Sequence, residues 1–292
     1  MKQRYIPGVV NICEVSDPDE IKALANDPLV DRHFKTPTCP VNWFILKRSL
    51  SALSFNGHRF PTMEPRGCPT RALAQDELWS KLNDQVATIK TGRVALAPLA
   101  EWVKGAGSDG DVGIIAQQLL GRLFRSDFTA TQESWAAAQV LVAAPHSSDL
   151  PKMCWWLVTG KVRRAKRLLA GMVGDDLSAV NAIGIAVHNL ASSLRQMRSL
   201  YADAGARKAL SPEAATGKCL RAPVSLYRQS TAKGTLNGTA FPANSLFVLE
   251  IGTASQLDNG RSLVFVEESW SRCPASTWIP AMLEGVWRRS LE

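Results

Sequence analysis

The sequence predicts a mostly α chain with a small C-terminal β region, and two observations carry that reading. Apolar residues recur at helical spacing through the central part, most clearly at Leu177, Val180, Ile183, Val187, Leu190, Leu194, Met197 and Leu200. From Val224 to Ile251 the pattern changes to strand-like alternation, punctuated by Gly234 and by the turn-forming pair Asn237-Gly238.

In chain order, the first element is signalled by Asp17-Pro18-Asp19-Glu20. An N-cap aspartate, a proline at the first helical position and a glutamate three residues after the cap predict a helix from Pro18 to Asn26. Residues 35 to 70 hold seven prolines or glycines with scattered aromatics, so extended segments and loops are expected there rather than long helices. Helical spacing returns from Thr70 to Ile89 through Leu73, Leu78, Leu82 and Val86. The Gly/Asp-rich run from Gly105 to Asp111 is a break, after which Val112 to Phe124, Thr131 to Ala144, Leu150 to Met172 and Asp176 to Ala202 read as helices. Ser211-Pro212-Glu213 opens a shorter one that ends near Arg221, and a last amphipathic stretch runs from Trp278 to Arg289.

The chain has 292 residues, 46% hydrophobic and 21% charged, enough for a sizeable core in one large domain or two small ones. A net charge of +8 suits an acidic redox partner or an anionic surface. The basic residues are spread along the chain without an aromatic-interleaved motif, which argues against nucleic acid. The basic run from Lys161 to Arg167 reads as a solvated helix face. Cysteines 13, 39, 68, 154, 219 and 273 form no CxxC pair, and histidines 33, 58, 146 and 188 show no zinc-ligand spacing beside them. No signal-peptide pattern opens the sequence, and no stretch reaches the roughly 18 apolar residues of a membrane span, so a cytoplasmic protein with reduced thiols is expected. Hydrolase and nucleotide-binding signatures are absent: there is no nucleophile-elbow glycine frame, no HExxH and no phosphate-binding glycine loop.

The most informative residues lie near the C-terminus. Cys273 stands in Trp270-Ser271-Arg272-Cys273-Pro274-Ala275 just before the last helix, and Tyr227-Arg228 opens the β region after Arg221-Ala222-Pro223. This order resembles the C-terminal half of a cytochrome P450 of the soluble bacterial type, most clearly from Asp176 to Arg289, and implies one compact P450-like domain over 1–292. The resemblance implies haem b, with Cys273 as the thiolate ligand to its iron, Arg228 on a propionate, and His58 and Arg59 in Gly57-His58-Arg59-Phe60 as a second propionate-binding element. Arg221 matches the arginine of the family's Glu-x-x-Arg motif.

Several family features are altered. Lys218 replaces the glutamate of that motif, so attraction one helical turn apart becomes mild repulsion. Val266-Glu267-Glu268-Ser269-Trp270-Ser271 has no glycine where the family's ligand loop turns tightly, so the loop must take another shape or hold no haem. The long central helix reads Gly184-Ile185-Ala186-Val187-His188-Asn189 where the family carries an acid and a threonine for proton delivery, leaving His188 and Asn189 as the polar substitutes. The resemblance therefore implies an oxidoreductase, of monooxygenase or peroxygenase type, acting on a small hydrophobic substrate, by peroxide use or rearrangement more readily than by dioxygen activation. The alternative is a haem-free homologue that serves as an accessory or scaffold for a partner enzyme.

Overall fold

The structure is a computed structural model that describes residues 1–34, 39–90, 95–146, 155, 156 and 158–292. Residues 150–154 and 157 of the helix expected from Leu150, Cys154 among them, lie outside the described residues. The chain divides into two compact units, one formed by Met1–Gln75 and Ala222–Cys273, the other by Asp76–Arg221 and Pro274–Glu292.

The first unit is built on a five-stranded sheet in the order β1-β2-β9-β6-β3. Its strands are β1 (Lys2–Ile6), β2 (Val10–Val15), β3 (Val30–Asp31), β6 (Leu226–Ser230) and β9 (Leu246–Leu249). Hairpin β1–β2 is antiparallel, β2 runs parallel to β9 with Val15 opposite Leu249, and β6 pairs antiparallel with both β9 and β3. The β region thus draws on both ends of the chain, and the N-terminal strands were not foreseen. Side chains alternate across the sheet as a strand period requires. Cys13, Val15, Phe247 and Leu249 pack with Ile21 and Leu24 of α1 (Pro18–Asn26), whereas Ile12 and Leu246 pack with Leu46 of α2 (Pro40–Ala52) and Met63.

Helix α1 has the expected bounds, with Pro18 at its first position and Asp17 Oδ1 accepting from the Asp19 and Glu20 amides. Helix α2 corrects the expectation of loops over 35 to 70. Its one proline opens the helix, where a missing N–H costs nothing, the next breaker is Gly57, and Asn42, Leu46 and Ser49 recur on one buried face. The short pairs β4 (Ser54–Phe55) with β5 (His58–Arg59) and β7 (Gly234–Leu236) with β8 (Thr239–Phe241) complete the strands. Asn42 ties α2 to the sheet: its Oδ1 accepts from the Asn11 amide at 3.0 Å and its Nδ2 donates to the Asn11 carbonyl at 2.6 Å, while Ser245 Oγ donates to Asn11 Oδ1.

The second unit is helical. Helix α3 (Pro69–Lys90) enters it from the first unit, followed by α4 (Ala97–Lys104), α5 (Asp111–Phe124), α6 (Gln132–His146) and α7 (Lys161–Val173). Helix α4 was not foreseen, yet its end carries a standard signal: Gly105 takes φ 118° and the Ala106 amide donates to the Glu101 carbonyl. The basic run on α7 is amphipathic rather than wholly solvated, since Ala165 and Lys166 are buried.

The central helix α8 (Leu177–Ala202) is α-helical over Leu177–Asn181 and Val187–Ala202 and π-helical over Ala182–Ala186. Widening to a π-turn displaces the usual hydrogen-bond ladder. Gln117 of α5 compensates, its buried amide donating to the Ile183 carbonyl at 2.9 Å and to the Ser134 carbonyl at 3.1 Å while accepting from Ser134 Oγ. By length and apolarity α8 could cross a membrane, contrary to the expectation that no stretch would, but half of its apolar window is buried within the protein. It packs against α4, α5 and α10 (Pro212–Cys219), with α9 (Ala204–Ala209) between α8 and α10 in sequence. Helix α11 (Ile251–Ala254) belongs to the first unit, and α12 (Trp278–Leu291) closes the second with Trp278 and Trp287 fully buried.

Candidate functional site

Two sequence-predicted residues, Arg228 and Cys273, are joined through one loop of the first unit. After the 3-10 turn Asp258–Val264 the chain reverses, and the Cys273 amide closes the loop by donating to the Phe265 carbonyl at 2.8 Å. The missing glycine is replaced in two ways. Val266 itself adopts φ 50°, a left-handed conformation that is costly for a β-branched residue. Ser269 then supplies local bonds: its hydroxyl donates to the Val266 carbonyl at 3.0 Å and accepts from the Ser271 amide at 3.2 Å. Cys273 is half-buried at the end of this loop.

Arg228, on the interior strand β6, reaches the same loop. It is 1% exposed, donating from Nη1 to the Tyr227 carbonyl at 2.9 Å and from Nη2 to Ser271 Oγ at 2.8 Å. Three arginines that the sequence did not single out share its surroundings. The guanidinium carbons of Arg32, Arg66, Arg71 and Arg228 lie 5.5, 5.3, 4.3 and 5.6 Å from the ring centroid of Trp270. Arg71 also donates to the Trp270 carbonyl at 3.2 Å and Arg66 to the Asn26 carbonyl at 3.1 Å.

Charge does not balance in this cluster. Asp31 is an acid at its edge that favours the charged forms of Arg32, Arg71 and Arg228, and Glu64 favours that of Arg71; Asp31 Oδ1 is taken by the Arg32 and Arg66 backbone amides, its Oδ2 lying 3.2 Å from His33 Nε2. None of the four guanidinium groups forms an ion pair among the described residues. Sharing one ring keeps any two of them within about 11 Å, where each pair repels by roughly 1.5 kcal/mol at an effective dielectric of about 20. Burial, then the neighbouring Arg71, lowers the Arg228 pKa; burial, then Arg228 and Arg71, lowers that of Arg32. The buried Nε atoms of Arg66, Arg71 and Arg228 have no hydrogen-bond partner among the described residues. A carboxylate-bearing group fits this donor set, as an acidic pair would supply both the missing charge and the missing acceptors. The residues therefore suit haem propionates, with Cys273 at the end of the same loop as a sulfur donor. No period or motif marks Arg32, Arg66 and Arg71, which are far apart in sequence; only the tryptophan three residues before Cys273 offered a cue, as a platform on which guanidinium groups stack.

The remaining predicted residues lie as follows. His58 is exposed on β5, while Arg59 donates to the Arg32 and His33 carbonyls at 2.9 and 3.2 Å, bracing the strand-end segment that carries Arg32. In the second unit, Arg221 bonds the Lys218 and Leu220 carbonyls through Nη1, capping the end of α10 in place of an ion pair with a glutamate. His188 stacks on Trp135 at 4.6 Å between ring centroids, with Nε2 buried and unpartnered among the described residues. Burial pushes its pKa down to about 4 against a hydrogen bond with the Ala138 backbone, so the ring is neutral near pH 7. Asn189, half-buried, offers its carbonyl to Ser193 Oγ at 2.9 Å.

No protein-family model and no curated protein sequence matches the chain. Solved structures do. A six-coordinated cytochrome P450 from Thermus thermophilus is similar at a TM-score of 0.61 and 17% identity, covering 95% of this chain and 84% of that one. A P450 from another strain of Thermus thermophilus gives 0.64 and 16% over 94% and 80%, and the P450 enzyme CxnD, for C–S bond formation in chuangxinmycin biosynthesis, gives 0.63 and 13% over 97% and 80%. At 292 residues, with the strand order and helix succession described above, this chain has a shortened and divergent form of the cytochrome P450 fold.

Proposed function

We propose that this chain is a haem-thiolate protein acting as an oxidoreductase on a small hydrophobic substrate, within one P450-like domain. The observation that carries the reading is the bond from buried Arg228 to Ser271, which fixes a cation that forms no ion pair among the described residues two positions from Cys273. In this reading Arg228 holds a propionate, Cys273 supplies the axial thiolate, and the hydrogen-bonded loop from Phe265 to Cys273 holds the sulfur in place. Bound haem would supply redox chemistry that no side chain of the protein offers. The polar groups that stand in place of an acid-alcohol pair are His188, neutral near pH 7 with a buried and, among the described residues, unpartnered Nε2, and its chain neighbour Asn189. With no acid-alcohol pair on α8, peroxide or an already oxygenated compound suits the protein better than dioxygen. The positive net charge suits an acidic electron donor, and the chain is read as cytoplasmic.

A second reading, a haem-free homologue that supports a partner enzyme, is favoured by Arg221, whose guanidinium caps its own helix and forms no buried ion pair among the described residues. Absorption spectra of the purified protein after haem supplementation, oxidised and then reduced under carbon monoxide, decide between the two. A red-shifted Soret band that disappears in Cys273→Ser supports the haem-thiolate reading. Failure to take up one haem per chain refutes it and directs attention to a protein partner.

A further inference from the structure

We propose that the outer face of α2, together with the β1–β2 hairpin, docks on the surface of an anionic lipid bilayer. Half of the large apolar side chains exposed among the described residues lie here: Tyr5, Ile6 and Val9 on the hairpin and Val41, Trp43 and Phe44 on α2, each 38% to 56% exposed. They form one patch. The Val41 amide donates to the Val9 carbonyl at 3.3 Å and Asn42 bonds the backbone of Asn11, so the first turn of α2 sits against the end of the hairpin. Helix α2 buries Asn42, Leu46 and Ser49, and the helical period then puts Phe44 and Lys47 on the opposite side with Trp43 beside them. A helix with its apolar stripe buried ordinarily turns polar residues outward, whereas this one turns out two aromatic rings. A contiguous apolar patch of this kind marks a surface that meets another phase or molecule.

Charge decides which. Lys47 Nζ lies 4.4 Å from the Trp43 ring centroid and the Arg48 guanidinium carbon 5.3 Å from that of Phe44, each cation resting on the ring one turn before it. Lys2 and Arg4 add two more on β1. Helix α2 has no acid, and Glu14, the one acid of the hairpin strands, is 3.0 Å from Arg4. Rings that carry lysine and arginine suit a headgroup layer, where the ring reaches toward the acyl chains and the cation toward phosphate. A second copy of this chain fits less well, because a self-complementary contact would bring two sets of these cations together and interface cores are depleted of lysine. The proposal is independent of haem, since none of these residues belongs to the Cys273 loop or the Trp270 cluster.

Cosedimentation of the full chain with extruded vesicles tests it. Partition onto an equal mixture of phosphatidylcholine and phosphatidylglycerol should exceed that onto phosphatidylcholine alone by about tenfold or more, and should fall as sodium chloride is raised. The double substitution Trp43→Ser/Phe44→Ser should lower it about tenfold, and Ile6→Ser and Lys47→Gln about fivefold each. Leu291→Ser, which removes a comparably exposed apolar side chain from α12, should leave it unchanged. Absent binding, equal binding to the two vesicle types, or full retention in both Trp43→Ser/Phe44→Ser and Ile6→Ser overturns the proposal. So does a wild-type dimer in sedimentation equilibrium that Trp43→Ser/Phe44→Ser disperses while no vesicle is bound, which would assign the patch to a second copy. The hairpin and α2 variants alter separate elements, so misfolding of one leaves the other as the test, and the comparison of vesicle types rests on the wild type alone.

Discussion

Protonation of His188 should destabilise the fold in a defined pH window. The ring lies against Trp135 with Nε2 enclosed, and burial pushes its pKa down from 6.5 to about 4, with Arg195 adding a smaller effect of the same sign. A histidine whose folded value is depressed binds its proton more readily when unfolded. Its contribution is therefore intact above the unfolded value near 6.5 and is lost as pH falls toward the folded value of about 4. Integrating proton uptake over that difference gives a loss of about 2 kcal/mol between roughly pH 7.5 and roughly pH 5, an upper figure because the ring keeps some contact with solvent. Other groups titrate in the same range, so the assay is a comparison. Urea unfolding of the wild type and of His188→Gln, whose amide can keep the bond to the Ala138 backbone, is measured at both ends of the window. The difference between the two proteins should shrink or reverse by about 2 kcal/mol at the acid end. An identical pH dependence in both proteins would refute the reasoning, as would a ring pKa near 6.5 measured directly by nuclear magnetic resonance.

Two further outcomes follow from packing. Asn42→Ala removes the partner of both the amide and the carbonyl of Asn11 in a buried site, and should cost about 2–4 kcal/mol, read as a lower urea midpoint with unchanged slope. Gly113→Ala would gain about 1 kcal/mol of helix propensity but drive its Cβ into the Trp135 ring, so a net loss of roughly 1–3 kcal/mol with an altered near-ultraviolet circular dichroism spectrum is expected.

The parts of this fold legible in the sequence are those whose cause is local. Asp17, Pro18 and Glu20 set the start of α1 within a few residues, and the apolar spacing of α8 is long enough to outweigh chance. Helix α2 is hidden in the sequence because the prolines and glycines of 35 to 70 flank it and do not interrupt it. Pro40 sits where a helix tolerates proline, and the twelve residues after it contain no breaker. The sheet was half legible. Strands β6 to β9 are close in sequence and carry turn residues, whereas the parallel pairing of β2 with β9 joins residues at opposite ends of the chain, which no local pattern encodes. The π-turn in α8 was likewise invisible, since its compensation comes from Gln117 on another helix.

The loop before Cys273 bears on the proposed function more directly than either class. Lack of a glycine near Cys273 left two outcomes open: a loop of another shape, or one that holds no haem. The loop does take another shape, at the cost of a valine in a left-handed conformation, which for a residue branched at Cβ is of order 1–2 kcal/mol. Ser269 and Ser271 offset part of that cost through their hydroxyl bonds. Strain of this kind persists where surrounding contacts over-determine it, and the contacts here come from Arg71 on the Trp270 carbonyl, Gln75 on the Arg272 carbonyl and Arg228 on Ser271. Two of those three are buried cations that form no ion pair among the described residues, although Asp31 acts on both at longer range and Glu64 on Arg71. A scaffold with no anion to bind would gain stability by replacing them with neutral groups that make the same bonds, so keeping arginine at both positions is a reason to look for the anion before looking for a partner protein.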